Sequence, residues 1–267
     1  MARPTLRIAA RLALATALWL AAGSRAQAAP EWIFRRLTLP RGDVALDLGL
    51  GLGHAPIDAN RSITGFGMNL EIAFGVTHDL EIGLRTGTRI GSDGEATQAD
   101  RYGRTFDTET YGTGIDAVAN PELRMTWAVA TGSMVHLGLE GRVYLPIEQG
   151  TRVGVMFAVP LRLRLGAVRV DTGVYVPIVF HDPTQTAISF PFHIWIQASR
   201  TLWLGPLLGV KFVNENGSHT DYPLGFGLGT ALANAIDLRF WFLFPDINHN
   251  EAARTFGAGL ALQIRFE

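Results

Sequence analysis

The sequence predicts an all-β fold, a transmembrane up-and-down antiparallel β-barrel of about 12 strands. Apolar side chains alternate strictly with polar or small ones, and segments of roughly ten to thirteen residues carry this alternation along the chain. In residues 44–52, VALDLGLGL, every even-numbered residue is apolar and every odd-numbered residue is small or acidic. A strand places successive side chains on opposite faces, so this segment has one apolar face, and no helix makes the same residues amphipathic.

The first 28 residues have the pattern of a secretory signal peptide. Arg3, Arg7 and Arg11 precede or open an apolar run over residues 12–22, and an Ala-Gln-Ala sequence ends at Ala28. A membrane-spanning helix is the alternative, but the run is shorter than the roughly 18 residues that such a helix needs. We expect residues 29–43 to form a periplasmic lead-in and residues 44–267 to form the barrel.

Charge and cysteine content exclude several functions. Residues 1–28 contain four of the 23 basic residues and none of the 24 acidic ones, so the mature chain is acidic, at about −5. It therefore lacks the basic character of a nucleic-acid-binding protein. Cysteine is absent, which excludes disulfides, thiolate chemistry and a lipidated N-terminal cysteine.

Twelve segments are predicted to be strands, an even number typical of single-chain barrels. They are residues 44–53, 63–76, 80–90, 121–130, 134–147, 152–165, 168–180, 188–198, 202–213, 222–232, 236–245 and 255–266. The connections alternate between short and long. Because bacterial barrels have short periplasmic turns and longer extracellular loops, both termini are placed on the periplasmic side.

Two features of the chain are expected to depart from a regular barrel. The long polar loop over residues 91–120 is expected to fold into the lumen or cover the mouth. Pro160 and Pro206 fall near the middle of predicted strands, where each removes a ladder hydrogen bond, so we expect a bulge or kink at each.

A soluble β-sandwich also shows alternation, so the prediction that lipid surrounds the apolar face rests on further observations. The strands are long enough to cross a bilayer at a tilt. Aromatic residues on the apolar face gather at two levels, as interfacial girdles do. The extracellular level contains Phe66, Phe180, Phe190, Phe212, Tyr222, Phe244 and Phe256, and the periplasmic level contains Phe74, Trp127 and Phe266.

Opposite charges are predicted to meet on the polar face, if each short turn fixes a symmetric antiparallel register. The predicted pairs are Glu71 with Arg85, Glu122 with Arg142, Arg124 with Glu140, and Arg162 with Asp171. Such cross-strand pairs stabilise a sheet. Surface ion pairs on a soluble sheet are the alternative interpretation.

The lumen is predicted to be moderately cationic. Its basic residues are Arg85, Arg89, Arg124, Arg142, Arg152, Arg162, Arg164, Arg169, Lys211, Arg239 and Arg265, and its acidic residues are Asp47, Glu71, Glu81, Glu122, Glu140, Asp171 and Asp237. In a pore this excess favours anions, because a narrow channel focuses the field of its wall charges. Alternatively, paired charges simply fill and rigidify the barrel.

Glycines on the same face predict where open space lies. They are Gly49, Gly51, Gly65, Gly67, Gly225, Gly227, Gly257 and Gly259. Any channel is expected to run along the first, second, tenth and last strands. His136 and His193 also face the lumen, where we interpret them as ordinary hydrogen-bonded interior residues.

Four predicted extracellular loops each contain a histidine near an aspartate. The pairs are His54 and Asp58, His181 and Asp182, His219 and Asp221, and Asp246 and His249. Barrel closure would gather them around one mouth, where imidazole and carboxylate groups bind a divalent metal or activate water. The alternative is that such loops are rich in these residues for solubility alone.

The mature chain resembles bacterial outer-membrane β-barrel proteins over nearly its whole length. The resemblance lies in the signal peptide, the alternating strands, the girdles and the terminal segment LALQIRF over residues 260–266. It implies a Gram-negative outer membrane, contact with its lipid, and recognition by the barrel-assembly machinery through a C-terminal Phe. Here Glu267 follows Phe266.

We expect a narrow channel for small polar or anionic solutes, with no enzyme activity and no cofactor. The sequence contains no phosphate-cradling loop, nucleophile elbow or HExxH zinc helix. The alternatives are a closed barrel whose extracellular His and Asp loops bind metal or a partner, and a structural or surface-interaction barrel.

Overall fold

The structure is a computed structural model, and it describes residues 32–56, 62–90, 95–99, 105–110, 118–145, 153–180, 184–214, 218–248 and 254–266. The predicted signal peptide lies outside these ranges. Within them, no helix combines the length and apolar character needed to cross a membrane.

The predicted antiparallel barrel is confirmed. The described strands are β1 Val44–Pro56, β2 Ser62–Gly75, β3 Leu80–Ile90, β4 Glu95–Ala99, β5 Thr105–Thr110, β6 Val118–Thr131, β7 Val135–Tyr144, β8 Gly154–Leu165, β9 Val168–Val179, β10 Gln185–Gln197, β11 Leu202–Asn214, β12 Ser218–Asp221, β13 Leu224–Ala233, β14 Ile236–Phe244 and β15 Phe256–Phe266. A single 3-10 turn, Trp32–Phe34, precedes them in the described chain. The barrel itself uses 12 of these strands, β1–β3, β6–β11 and β13–β15.

The barrel closes by pairing its first strand with its last. β1 pairs along its length with β15, from Val44 opposite Phe266 to His54 opposite Phe256. The short turns, such as residues 76–79 and 166–167, all lie at the end that holds the start of β1. We call this the turn side, and it corresponds to the periplasmic side of the prediction.

The remaining strands lie in the extracellular loops. β12 continues the line of β13 along β11, and the two are separated by Tyr222 and Pro223. The hairpin β4–β5 belongs to the loop over residues 91–120. β4 lies close to β1 and β15, whereas β5 lies close to β10. Since β10 is nearly opposite β1 in the strand order, the hairpin lies across the barrel.

The wall is apolar outside and polar inside. Outward-facing Leu50 and Phe157 are 56% and 62% exposed, whereas inward-facing Arg162 is 0% exposed. In water, leaving large side chains exposed forgoes roughly 25 cal/mol for each Å² of apolar area. In a bilayer the same surface meets hydrocarbon, so this distribution fits lipid as the outer solvent.

The symmetric register holds at two of the short turns. Glu71 lies opposite Arg85 in the β2–β3 pair, and Arg162 lies opposite Asp171 in the β8–β9 pair. These turns are centred where the sequence places them, so the predicted facing residues are correct.

The register predicted for β6 and β7 is wrong. The turn is centred beyond Gly132, and a bulge between Ala128 and Ala130 shifts the pairs again. Arg124 therefore lies opposite Arg142 instead of Glu140. A bulge adds a residue to one strand only, so every pair beyond it moves.

Of the bulge or kink expected at each strand proline, the bulge is absent, since neither ladder changes register. The β7–β8 and β10–β11 ladders each lose two adjacent pairs, beside Pro160 and Pro206, and resume in the same register. Pro160 lies opposite Gly173, whose φ of +149° suits glycine. Each proline thus removes ladder contacts without displacing its strand.

Candidate functional site in the lumen

Residues 32–39, which precede β1, lie inside the barrel. We call residues 32–39 the N-terminal segment. Trp32, Ile33 and Leu37 are 4%, 2% and 1% exposed. Thr38 Oγ1 donates a hydrogen bond to the carbonyl of His78, which belongs to a turn-side connection. The described part of the predicted periplasmic lead-in therefore enters the lumen from the turn side and occludes it there.

Three arginines of the wall hold the main chain of this segment. Arg162 Nη1 donates to the carbonyl oxygens of Arg35 and Arg36 at 2.9 and 2.8 Å. Arg164 Nη2 donates to the Arg35 oxygen at 2.6 Å, and Arg169 Nη1 donates to the Trp32 oxygen at 2.9 Å. All three project from β8 and β9, so one side of the lumen supplies these contacts. We call them the arginine triad.

Acidic groups on other walls hold the segment as well. Arg35 forms a two-point ion pair with buried Asp237 on β14. The backbone N–H of Leu39 donates to Glu81 Oε2 of β3 at 2.8 Å. The segment therefore spans the lumen, because its contacts reach walls on both sides of the triad.

A tryptophan cluster covers the remaining side of the segment. The Trp32 ring stacks on Trp203, with centroids 5.0 Å apart and planes at 5°, and meets Trp195 edge-on at 5.1 Å. Ile33, Trp241, Leu243 and Ala261 belong to the same buried cluster. Aromatic pairs of this kind contribute about 0.5–1.5 kcal/mol each beyond the area they bury.

Tryptophans fill part of the space that the glycines leave. A Cβ at Gly227, Gly229 or Gly259 would lie 2.4, 2.2 or 2.1 Å from Trp195, Trp203 or Trp241, respectively. The prediction of a channel along the tenth and last strands is therefore wrong at these glycines, because inward tryptophans of nearby strands pack onto them. At Gly49 and Gly51 the nearest atoms to such a Cβ are 3.6 and 3.7 Å away.

Most predicted lumen charges take part in a buried ion-pair network. Arg124 contacts Glu71 and Glu81 at 2.5 and 3.0 Å, and Arg142 contacts Glu122 and Glu140 at 2.8 and 2.7 Å. The network thus forms two groups, each with one arginine between two carboxylates.

Other members of the network are arranged differently. Asp171 accepts hydrogen bonds from Arg162 Nε at 2.6 Å and from Arg169 Nε at 2.9 Å. Arg85 lies opposite Glu71 in register, and its Nη1 lies 4.0 Å from Glu122 Oε2. Arg239 pairs with Asp47. Breaking a buried pair by removing one partner costs about 3–5 kcal/mol.

The predicted metal residues are only partly within the described chain. His219 Nε2 lies 3.5 Å from Asp221 Oδ1. His54 Nδ1 lies 2.8 Å from Thr64 Oγ1, and Asp246 Oδ1 accepts from the backbone N–H groups of Tyr222 and Asn248. Asp58, His181, Asp182 and His249 lie outside the described residues. The described ranges contain no group of three or more metal-ligating side chains, and the metal site stays a prediction.

The two lumen histidines are buried, at opposite sides of the triad. His136 lies opposite Arg162 in the β7–β8 pair, and His193 lies opposite Asp171 in the β9–β10 pair. Arg89 and Arg152, also predicted to face the lumen, have side chains outside the description.

Sequence reasoning missed the N-terminal segment. Its buried residues include Trp32, Ile33, Leu37 and Leu39, beside Arg35 and Arg36. Large apolar residues within a short stretch that lacks strand periodicity are a signal for buried irregular structure. No periodicity indicates what covers them, since their contacts come from residues far along the chain.

Comparisons with known proteins bear on the fold. No protein-family model matches the sequence, and no curated protein matches it. An outer membrane channel from Pseudomonas putida F1 is similar in structure, with a TM-score of 0.56 and 10% identity over 91% of this chain and 99% of that one. The NanC porin has a TM-score of 0.55 and 7% identity over 83% of this chain and 99% of that one.

The translocator domain of the autotransporter NalP from Neisseria meningitidis is also similar, with a TM-score of 0.50 and 9% identity over 86% of this chain and 89% of that domain. At these identities the likeness shows the fold alone. The fold and the lipid-facing surface together define an outer-membrane β-barrel of the Gram-negative type. Recognition of Phe266 by the assembly machinery stays a prediction.

Proposed function

We propose that the protein is a narrow channel for small polar solutes, preferentially anions, and that the N-terminal segment closes it on the turn side. The observation that carries this proposal is that the segment occludes the turn side of the lumen without belonging to the wall. The ladder of β1 begins at Val44, so moving residues 32–39 breaks no strand pairing.

The contacts of the segment with the wall are side-chain hydrogen bonds, ion pairs and aromatic packing. The wall keeps its own ladder when they are lost. Pro40, Arg41 and Gly42 are exposed, and Gly42 has a φ of +89°. This exposed turn supplies a place at which the chain leaves the lumen.

Anion preference follows from the groups behind the segment. When the segment leaves, the arginine triad loses the main-chain oxygens to which it donates. Asp171 is shared by Arg162 and Arg169, so the local charge is positive. A narrow, low-dielectric lumen strengthens the effect of that charge on a passing ion.

Single-channel recording in planar bilayers tests the proposal. We expect wild-type protein to be mostly closed and a variant that lacks residues 32–39 to conduct steadily, with a reversal potential in a KCl gradient that favours chloride. The control is Phe34→Ala, since Phe34 is 47% exposed and its loss leaves the closed state in place.

A second route removes the segment after folding. A protease site introduced at the exposed Pro40–Gly42 turn allows cleavage after the barrel has assembled. The conductance measurement then does not depend on whether the variant lacking residues 32–39 folds. A folded barrel without the segment that passes no current, or that prefers potassium, contradicts the proposal.

A further inference from the structure

The arginine triad resembles an anion site that is occupied by the protein's own backbone. Four hydrogen bonds of 2.6–2.9 Å join Arg162, Arg164 and Arg169 to the carbonyl oxygens of residues 32, 35 and 36. Carbonyl oxygens carry only partial charge. Hydrogen bonds between guanidinium and an ionised oxygen acceptor are roughly twice as strong as neutral ones.

The triad has more donor capacity than the segment uses. Arg164 Nη2 donates to the Arg35 oxygen, while the buried Arg164 Nε has no hydrogen-bond partner among the described residues. A guanidinium presents donors in a planar fork that fits two oxygens of one carboxylate or phosphate. The carbonyl of Arg35 offers Arg164 a single oxygen, so the present contact satisfies this fork only in part.

Charge in the neighbourhood also favours an added anion. Asp171 serves both Arg162 and Arg169. The nearby Arg35 side chain points away to Asp237 on β14. The wall beside the triad contributes His136, which lies opposite Arg162 and carries no negative charge.

We propose that the arginine triad is a binding site for a small oxyanion, a carboxylate or a phosphate, which competes with the carbonyl oxygens of the N-terminal segment. The oxyanion and the segment use the same guanidinium donors, so both cannot occupy them together. Binding of the anion therefore favours the state in which the segment has left. This inference rests on the proposed function and deepens it, because it names the ligand that opens the channel.

Linkage sets the size of the effect. A ligand that binds only the open state, at 100 times its dissociation constant, raises the ratio of open to closed protein about a hundredfold. Raising the anion concentration does not strengthen the competition from the segment, because the segment is part of the same chain and its effective concentration is fixed.

The chain offers a clean reporter for release of the segment. Cysteine is absent, so Leu37→Cys places one thiol at a position that is 1% exposed in the closed state. The rate of maleimide labelling then reports opening, and no conductance is needed. Inorganic phosphate and succinate are the probes, with sodium chloride at matched ionic strength as the reference.

We expect phosphate, succinate or both to accelerate labelling at least about tenfold over chloride. Adding Arg164→Gln to the reporter protein is expected to reduce that acceleration severalfold, whatever its effect on basal labelling. The matched control is Arg200→Gln, which removes one positive charge from an exposed turn-side position outside the lumen and is expected to leave the acceleration unchanged.

The two proposals fail in different ways. Acceleration by an oxyanion in a protein whose segment-free form passes no current supports the site and contradicts the channel. Equal labelling rates in phosphate, succinate and chloride overturn the site, even if the segment-free barrel conducts. Equal acceleration in the Arg164→Gln and Arg200→Gln proteins also overturns it, since the effect then does not depend on the triad. Heat-modifiable mobility of each variant verifies that the barrel is folded.

Discussion

The guanidinium of Arg169 lies over the indole of Trp32, with Cζ 3.2 Å from the ring centroid, and its Nη1 donates to the carbonyl oxygen of the same residue at 2.9 Å. One wall residue thus contacts both the side chain and the main chain of Trp32. A desolvated cation–π contact contributes about 2 kcal/mol. This pair joins the arginine triad to the tryptophan cluster, so polar and apolar contacts hold the same residue in the closed state.

Replacing Trp32 with alanine is expected to open the channel. Trp32→Ala removes the stack on Trp203, the edge contact with Trp195 and the contact with Arg169. Loss of even about 1.4 kcal/mol from the closed state changes the open-to-closed ratio tenfold. We expect at least that increase in open probability in single-channel records. Trp127→Ala, at a lipid-facing position, serves as the control and is expected to gate like wild type.

Two aspartates with arginine partners should differ strongly in their effect on stability. Asp171 is buried between Arg162 and Arg169, so Asp171→Asn is expected to cost about 3–5 kcal/mol of unfolding free energy. The Arg36–Asp79 pair is 38% and 47% exposed at 3.3 Å, so Asp79→Asn is expected to cost under about 1 kcal/mol. Urea unfolding in lipid vesicles measures both, and equal losses would contradict the buried network.

The sequence predicted the wall well because the wall is periodic. β3 has the predicted bounds, and the Arg162–Asp171 register follows from a tight, symmetric turn. The predicted register of β6 and β7 is wrong because nothing in the alternation indicates the bulge between Ala128 and Ala130. The location of the N-terminal segment was missed for another reason. Its partners, such as Asp237, lie far along the chain and leave no local pattern in the sequence.

Two inward glycines form a matched test of the tryptophan packing. A Cβ at Gly229 would lie 2.2 Å from Trp203, whereas at Gly49 the nearest atom is 3.6 Å away. Gly229→Ala is expected to destabilise the barrel by about 1–3 kcal/mol through overpacking. Gly49→Ala is expected to stay within about 0.5 kcal/mol of wild type. Unfolding free energies decide the matter, and a well-tolerated Gly229→Ala would show that Trp203 does not occupy this space.

The lipid-facing wall makes a depth-dependent prediction. Leu139 is exposed near the middle of β7, and Met134 is exposed at a turn-side connection. Leu139→Arg is expected to cost about 2–4 kcal/mol in a bilayer, and Met134→Arg about 0–1 kcal/mol. A soluble sheet would tolerate both, so similar small costs in vesicles would argue against hydrocarbon around the barrel.

A reversible tether tests most directly that the N-terminal segment closes the lumen. Leu37 lies against β7, where a Cβ at Gly138 would be 2.6 Å from Leu37 Cδ2, and the chain has no cysteine to interfere. In the Leu37→Cys, Gly138→Cys protein, we predict that oxidation forms a disulfide within the chain and abolishes channel opening, and that a reductant restores it. Failure of the disulfide to form in the folded barrel, or equal current before and after reduction, would contradict the account.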